Sequence, residues 1–86
     1  MSYRDIDAEL LAKIGRRIKR RREDAGLTQE QLALKSGVSR NMLSKLENGN
    51  YNITALKLWS IARTLDVNVG QLFPKVKKKA KSLSND

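Results

Sequence analysis

The side chains best equipped for chemistry lie in one short stretch: Arg40, Asn41, Ser44, Lys45 and Asn48. Arginine and lysine donate to guanine O6 and N7, asparagine makes a two-bond pair with adenine, and serine serves either. Laid on a helix at about 100° per residue, Asn41, Ser44, Lys45 and Asn48 share one side, with Arg40 toward its edge. Leu43, Leu46, Met42 and Ser39 set the opposite side. Such a polar face either reads bases or is simply solvated, and the elements that hold the helix must decide. Catalytic chemistry has little to draw on. The chain has no histidine and no cysteine, which removes the commonest general base, the thiolate nucleophile and the commonest metal ligands. The sequence therefore predicts no enzyme, no metal site and no cofactor.

Charge points to the partner. Eighteen lysines and arginines face nine acids over 86 residues, a formal net charge of +9, which favours an anionic partner. Nucleic acid leads, and an anionic membrane surface is the competitor. No apolar run approaches membrane-spanning length, and the N-terminus lacks the apolar core of a signal peptide. The expectation is a soluble, cytoplasmic protein with no membrane partner.

The elements follow from caps and periodicity. Asp5, Asp7 and Glu9 place negative charge where a helix N-terminus favours it. Leu11, Ile14, Ile18 and Ala25 recur at helical spacing, predicting a first helix from Asp7 to Ala25 that Gly26 closes. Thr28 and Gln31 form a capping box that opens a second helix carrying Leu32 and Ala33, ending near Ser36-Gly37. Ser39 caps a third helix to about Asn48, and Gly49 to Asn52 reads as a loop. Thr54 caps a fourth, with Ala55, Leu58, Ile61, Ala62 and Leu65 on one face. Asn68 and Gln71 form a second capping box, opening a short fifth helix that Pro74 terminates. The reading is all-α: a domain over residues 1–74, with Met1 to Arg4 frayed, and a basic disordered tail over 75–86. That lysine-rich tail either touches phosphates without specificity or keeps the protein soluble. With no second domain after Phe73, no small-molecule ligand is expected.

Gln29 to Asn48 carries the function. Two short helices around a tight glycine-containing turn describe a helix-turn-helix. Ala33 is small where the helix axes cross, Gly37 supplies positive φ, Val38 plugs the angle, and Leu43 and Leu46 anchor the third helix from below. In such a motif the exposed face of the second helix enters the major groove, which tips the polar face toward base readout. Gln29 sits where free backbone N–H groups and the helix dipole favour an anion, such as a DNA phosphate. Ser39 can combine capping with a phosphate hydrogen bond. In the basic run, Arg16, Lys19 and Arg20 point away from the core stripe, which reads as solvation. Arg17 and Arg21 lie beside it and reach phosphates if that flank faces the duplex. Leu56 and Trp59 fall outside the stripe of the fourth helix. They mark either an isolated exposed pair or a two-fold dimer interface, which would set half-sites about 34 Å apart.

This series resembles the Cro/cI-type (XRE) family of bacterial and phage repressors. The matching residues are Ile14-Gly15 with Ile18 and Arg22, then Gly26-Leu27-Thr28-Gln29, Leu32-Ala33 and Gly37-Val38-Ser39. Leu43, Leu46-Glu47-Asn48-Gly49 and Ile61-Ala62 through Leu65 to Val67 complete it. The resemblance implies a five-helix, lambda-repressor-like DNA-binding domain with its helix-turn-helix formed by helices 2 and 3. Such domains bind operator DNA as homodimers. By family position Arg40, Asn41, Ser44 and Lys45 contact bases, Gln29 and Asn48 contact phosphates, and Arg22 pairs with Glu47 between helices 1 and 3. Ser36 departs, being more apolar in the family, which implies slightly weaker turn packing. The expected function is a transcriptional regulator, a repressor or autoregulator, on a palindromic operator. Phage repressors and restriction–modification controllers fit equally. The alternative is an antitoxin-type interaction module that also binds DNA.

Overall fold

The computed structural model describes the backbone of residues 3–74 and the side chains of residues 8–74. The basic tail lies outside the described residues. Helix α1 spans Tyr3–Asp24, so Tyr3 and Arg4, expected to fray, join its first turn, where nothing in the sequence opposes a helix. Its C-terminal end arrives at Asp24, leaving Ala25 exposed rather than in the core. Helix α2, Gln29–Ser36, opens on the expected box: Thr28 Oγ1 accepts from the Gln31 N–H at 3.0 Å, and Gln31 Oε1 accepts from the Thr28 N–H at 2.9 Å. Helix α3, Arg40–Glu47, starts where Ser39 Oγ accepts from the Met42 N–H at 3.0 Å. That exposed capping position takes Ser39 off the core side. Helix α4, Ala55–Thr64, is capped by Thr54. Its buried face is Leu58, Ile61, Ala62 and Leu65, while Ala55, at the first position, is exposed.

The fifth element corrects the expected helix count. Val69–Leu72 is a four-residue 3-10 turn, so the described residues hold four α-helices and this turn, with no strand. Gln71 Oε1 does accept from the Asn68 N–H at 2.8 Å, but Pro74 follows too soon for an α-helical turn to propagate.

Each element gives the centre at least one wholly buried aliphatic side chain. These are Ile18 from α1, Leu32 from α2, Leu43 and Leu46 from α3, Ile61 from α4 and Leu72 from the 3-10 turn. Each such burial contributes about 1.5–3 kcal/mol before entropy is counted. α2 packs on both α3 and α4, while α1 crosses α3 and closes over the 3-10 turn.

Two glycines make this arrangement possible. Gly37 turns the chain from α2 toward α3 at φ +77°, a conformation costly for a residue with a Cβ. Val38 beside it is buried and its N–H donates to the Ala33 carbonyl at 3.1 Å. At Gly15 a Cβ would overlap the Leu46 carbonyl oxygen and stand 2.9 Å from that of Glu47, so α1 and the end of α3 meet backbone to backbone. Ser36 packs better than its polarity suggested. It is buried, its Oγ donates to the Leu32 carbonyl at 2.7 Å, and its own carbonyl accepts from Ser60 Oγ at 2.6 Å. The hydroxyl is satisfied and the carbonyl ties α2 to α4, so no turn weakness follows.

Candidate nucleic-acid interface

Helix α3 is held from beneath by residues of unlike chemistry. Leu43 and Leu46 sink into the core, and Glu47 is 4% exposed although it carries a carboxyl group. Arg22 meets it from α1: Nε donates to Oε2 at 2.7 Å and an Nη group donates to Oε1 at 3.1 Å. This is the two-pronged geometry that a guanidinium offers a carboxylate. The remaining prong of Arg22 donates to the Leu27 carbonyl at 2.8 Å. Its hydrogen bond to Glu47 outweighs burial and raises the arginine's affinity for its proton. Gln29 completes the cluster, donating from Nε2 to Glu47 Oε1 at 3.0 Å. One carboxylate thus joins α1, the start of α2 and the end of α3.

With that side fixed, the other side of α3 is presented outward. Arg40, Asn41, Lys45 and Asn48 are exposed and Ser44 is half-buried, so four of the five side chains in the polar stripe are free to meet a ligand. Asn48 is the residue that ends α3, and its N–H donates to the Ser44 carbonyl at 3.2 Å. Ser39 and Gln29 stand at or beside the N-termini of α3 and α2, where unpaired N–H groups favour anions. One amide hydrogen of Gln29 is committed to Glu47, leaving the other and the amide oxygen.

Arg17 and Arg21 are exposed on α1, on a different flank from the one α3 crosses. Arg17 donates to the Gln71 carbonyl of the 3-10 turn at 3.3 Å, and Arg21 lies one turn further along the same stripe. Gly15 and Arg22, which meet α3, fall across the helix from them. On α4, Leu56 and Trp59 are 78% and 51% exposed. The Arg63 guanidinium lies 5.6 Å from the centre of the Trp59 ring, within cation–π range.

Residues 18–72 match the helix-turn-helix family. The chain belongs to this family of XRE-type transcriptional regulators. An uncharacterised HTH-type transcriptional regulator of Sinorhizobium fredii is 40% identical over 55 residues, 64% of this chain and 71% of the relative. The immunity repressor of Bacillus phage phi105 is 37% identical over 59 residues, 69% of this chain but only 41% of that repressor. Among solved structures, the restriction-modification controller C.AhdI of Aeromonas hydrophila superposes with a TM-score of 0.72 at 35% identity, covering 73% of this chain and 96% of that one. The biofilm regulator SinR in complex with DNA gives 0.65 at 38% identity, covering 69% and 95%. The lambda-repressor-like fold is therefore shared with DNA-binding transcriptional regulators.

Three features of this regulator go beyond the sequence reading above, and only the first lacks a signal in the sequence. The Gln29–Glu47 bond joins residues 18 apart, and no local pattern signals it. Gly15 does carry a signal, because a glycine inside a helix costs stability unless something needs its missing Cβ. Leu34, 83% exposed on α2, sits opposite the buried stripe of Leu32, Ala33 and Ser36, a position that a helical wheel would give.

Proposed function

We propose that this regulator acts as a sequence-specific repressor or autoregulator, binding a palindromic operator as a homodimer with α3 in the major groove. The observation that carries the reading is the two-sided character of α3. Leu43, Leu46 and Glu47 are buried while Arg40, Asn41 and Lys45 are exposed, so donors suited to base edges project from a rigid mount. Arg40, Asn41 and Lys45 contact base edges, with Ser44 at the margin of the footprint. Gln29, Ser39 and Asn48 take phosphates and fix the register. The solved relative SinR is described in complex with DNA, which supports the same use of the fold here.

The exposed pair Leu56 and Trp59 is the dimer face in this reading, since apolar side chains left in water gain most from being covered. Selection from a random duplex library tests the whole proposal. Enriched sites should be palindromic with half-site centres about 34 Å apart; a library without enrichment overturns it. Sedimentation of Trp59→Ala tests the interface separately. Dissociation should shift to higher protein concentration, and an unchanged dimer removes Trp59 from it.

A further inference from the structure

The positive charge of this protein is concentrated away from its reading helix. From Lys13 to Arg22, α1 carries seven of the chain's eighteen lysines and arginines, whereas Thr28 to Asn48 carries only Lys35, Arg40 and Lys45. Arg22 is consumed by Glu47. The other six, Lys13, Arg16, Arg17, Lys19, Arg20 and Arg21, line one open depression on the outside of α1, with Glu23, Asp24 and Gln71 at its end and Lys13 paired with Glu9 at 3.6 Å. Arg16, Arg20 and Arg21 are exposed and have no hydrogen-bond or ion-pair partner among the described residues. Stability does not account for them, because at Arg20 the repulsion from Arg16, one turn before, offsets the attraction to Asp24, one turn after.

We infer that the outer face of α1 binds a second segment of duplex DNA, distinct from the one read by α3. The chemistry selects this occupant. The patch is arginine-rich, and guanidinium groups hold phosphates by paired hydrogen bonds. Cations four residues apart rise about 6 Å along a helix, comparable to the roughly 6.8 Å of duplex axis that two nucleotides of one strand span. The six cations have no large apolar side chain among them to anchor a protein partner, whose interface cores are depleted in charge. Protein–DNA interfaces are strongly positive and polar. Position separates the two surfaces: α3 crosses α1 on the Gly15 flank, while Arg17 and Arg21 lie toward the 3-10 turn. A molecule already on its operator, as proposed above, meets further DNA at high local concentration, so occupancy of this face would bridge or fold the duplex.

The test uses the full chain and the triple variant R16Q/R20Q/R21Q, whose folding is checked by helical circular dichroism. On a labelled random-sequence 20-bp duplex, the slope of log affinity against log salt should fall by about 2–3 units, three lost phosphate contacts at roughly 0.9 each. R40A/K45A should keep the wild-type contribution of α1. This arm needs no operator, so it stands or falls apart from the reading of α3. In the second arm, bead-bound selected operator saturated with protein should capture the free labelled duplex. The triple variant should lose that capture while holding operator affinity within about threefold. An unchanged salt slope, undiminished capture, or operator affinity falling as far as capture would each overturn the inference. So would displacement of the free duplex by poly-glutamate at equal charge, which would make the face a site for acidic protein. Should the triple variant misfold, R20Q alone should lower the slope by about 0.9, and an unchanged slope there would overturn the inference equally.

Discussion

Arg21 and Arg22 are neighbours in sequence and live in different physical worlds. Arg22 turns inward with 10% of its side chain exposed, its guanidinium spent on Glu47 and the Leu27 carbonyl. Arg21 is exposed and its side chain bonds to nothing among the described residues. The two sides of α1 therefore use one residue type for opposite ends. Inside, positive charge is a fixed part bonded at short range in a low-dielectric setting. Outside, it is a field available to any polyanion and screened by salt. Stability should respond to the inner side alone, and salt-dependent DNA binding to the outer side.

Glu47→Ala should damage the inner side of α1 more than any other single change. It leaves the Arg22 guanidinium buried without its carboxylate and cuts Gln29 loose, a loss of about 3–5 kcal/mol. For a domain of this size that lowers the melting temperature by roughly 12 °C or more. Replacing both partners, Arg22→Met with Glu47→Leu, should recover much of that loss, because a buried ion pair contributes little net stability over apolar packing. Thermal melts of the single and double variants decide it. A single variant as stable as the wild type would mean the pair is not buried in solution.

Gly15→Ala follows, and its sign is informative. In an ordinary helix interior this change stabilises by about 0.5–1 kcal/mol. Here the added methyl meets the carbonyl oxygens of Leu46 and Glu47, so α1 must lift from α3 and the variant should lose about 1–3 kcal/mol. Denaturant titration reads the sign directly, and a gain would show that the crossing has slack.

How much of this is legible in the sequence depends on the range of the interaction. Caps are local, so Thr28 with Gln31, Ser39 and Thr54 can be read from residues three apart, and each holds its backbone N–H as expected. The buried stripes of α2, α3 and α4 follow from periodicity, and Gly37 from the need for a tight turn. The failures have two sources, one local and one tertiary. The fifth helix shrinks to a 3-10 turn because four residues before a proline cannot sustain α-helical bonding. Ser36 looks like a flaw until Ser60, 24 residues away, proves to be bonded to its carbonyl. In the arginine run the helical wheel already turns Arg16, Lys19 and Arg20 outward, as the structure does, whereas the bond from Arg17 to the Gln71 carbonyl, 54 residues away, has no local signal.

Arg40→Ala sharpens the contrast from the side of recognition. Arg40 is exposed like the outer arginines of α1, yet it sits on the mounted face of α3. Its loss should weaken binding to a selected operator by about 1–3 kcal/mol, the range for a two-bond contact to a base, and should relax preference at one position of the site. Affinity for random duplex should change little. Equal losses on both duplexes would place Arg40 among the phosphate contacts and take base readout away from it.

The smallest expected effect is the most discriminating about α1. Arg20→Gln removes an exposed cation from the centre of the outer face without disturbing any bond among the described residues. Its stability should stay within about 0.5 kcal/mol of the wild type. Relief of repulsion from Arg16, one turn before it, offsets the lost attraction to Asp24, one turn after it. Denaturant midpoints at low and high salt measure this. A midpoint that drops in both would mean that Arg20 is held by a contact like that of Arg22, and the division of α1 into a structural side and a free side would have to be redrawn.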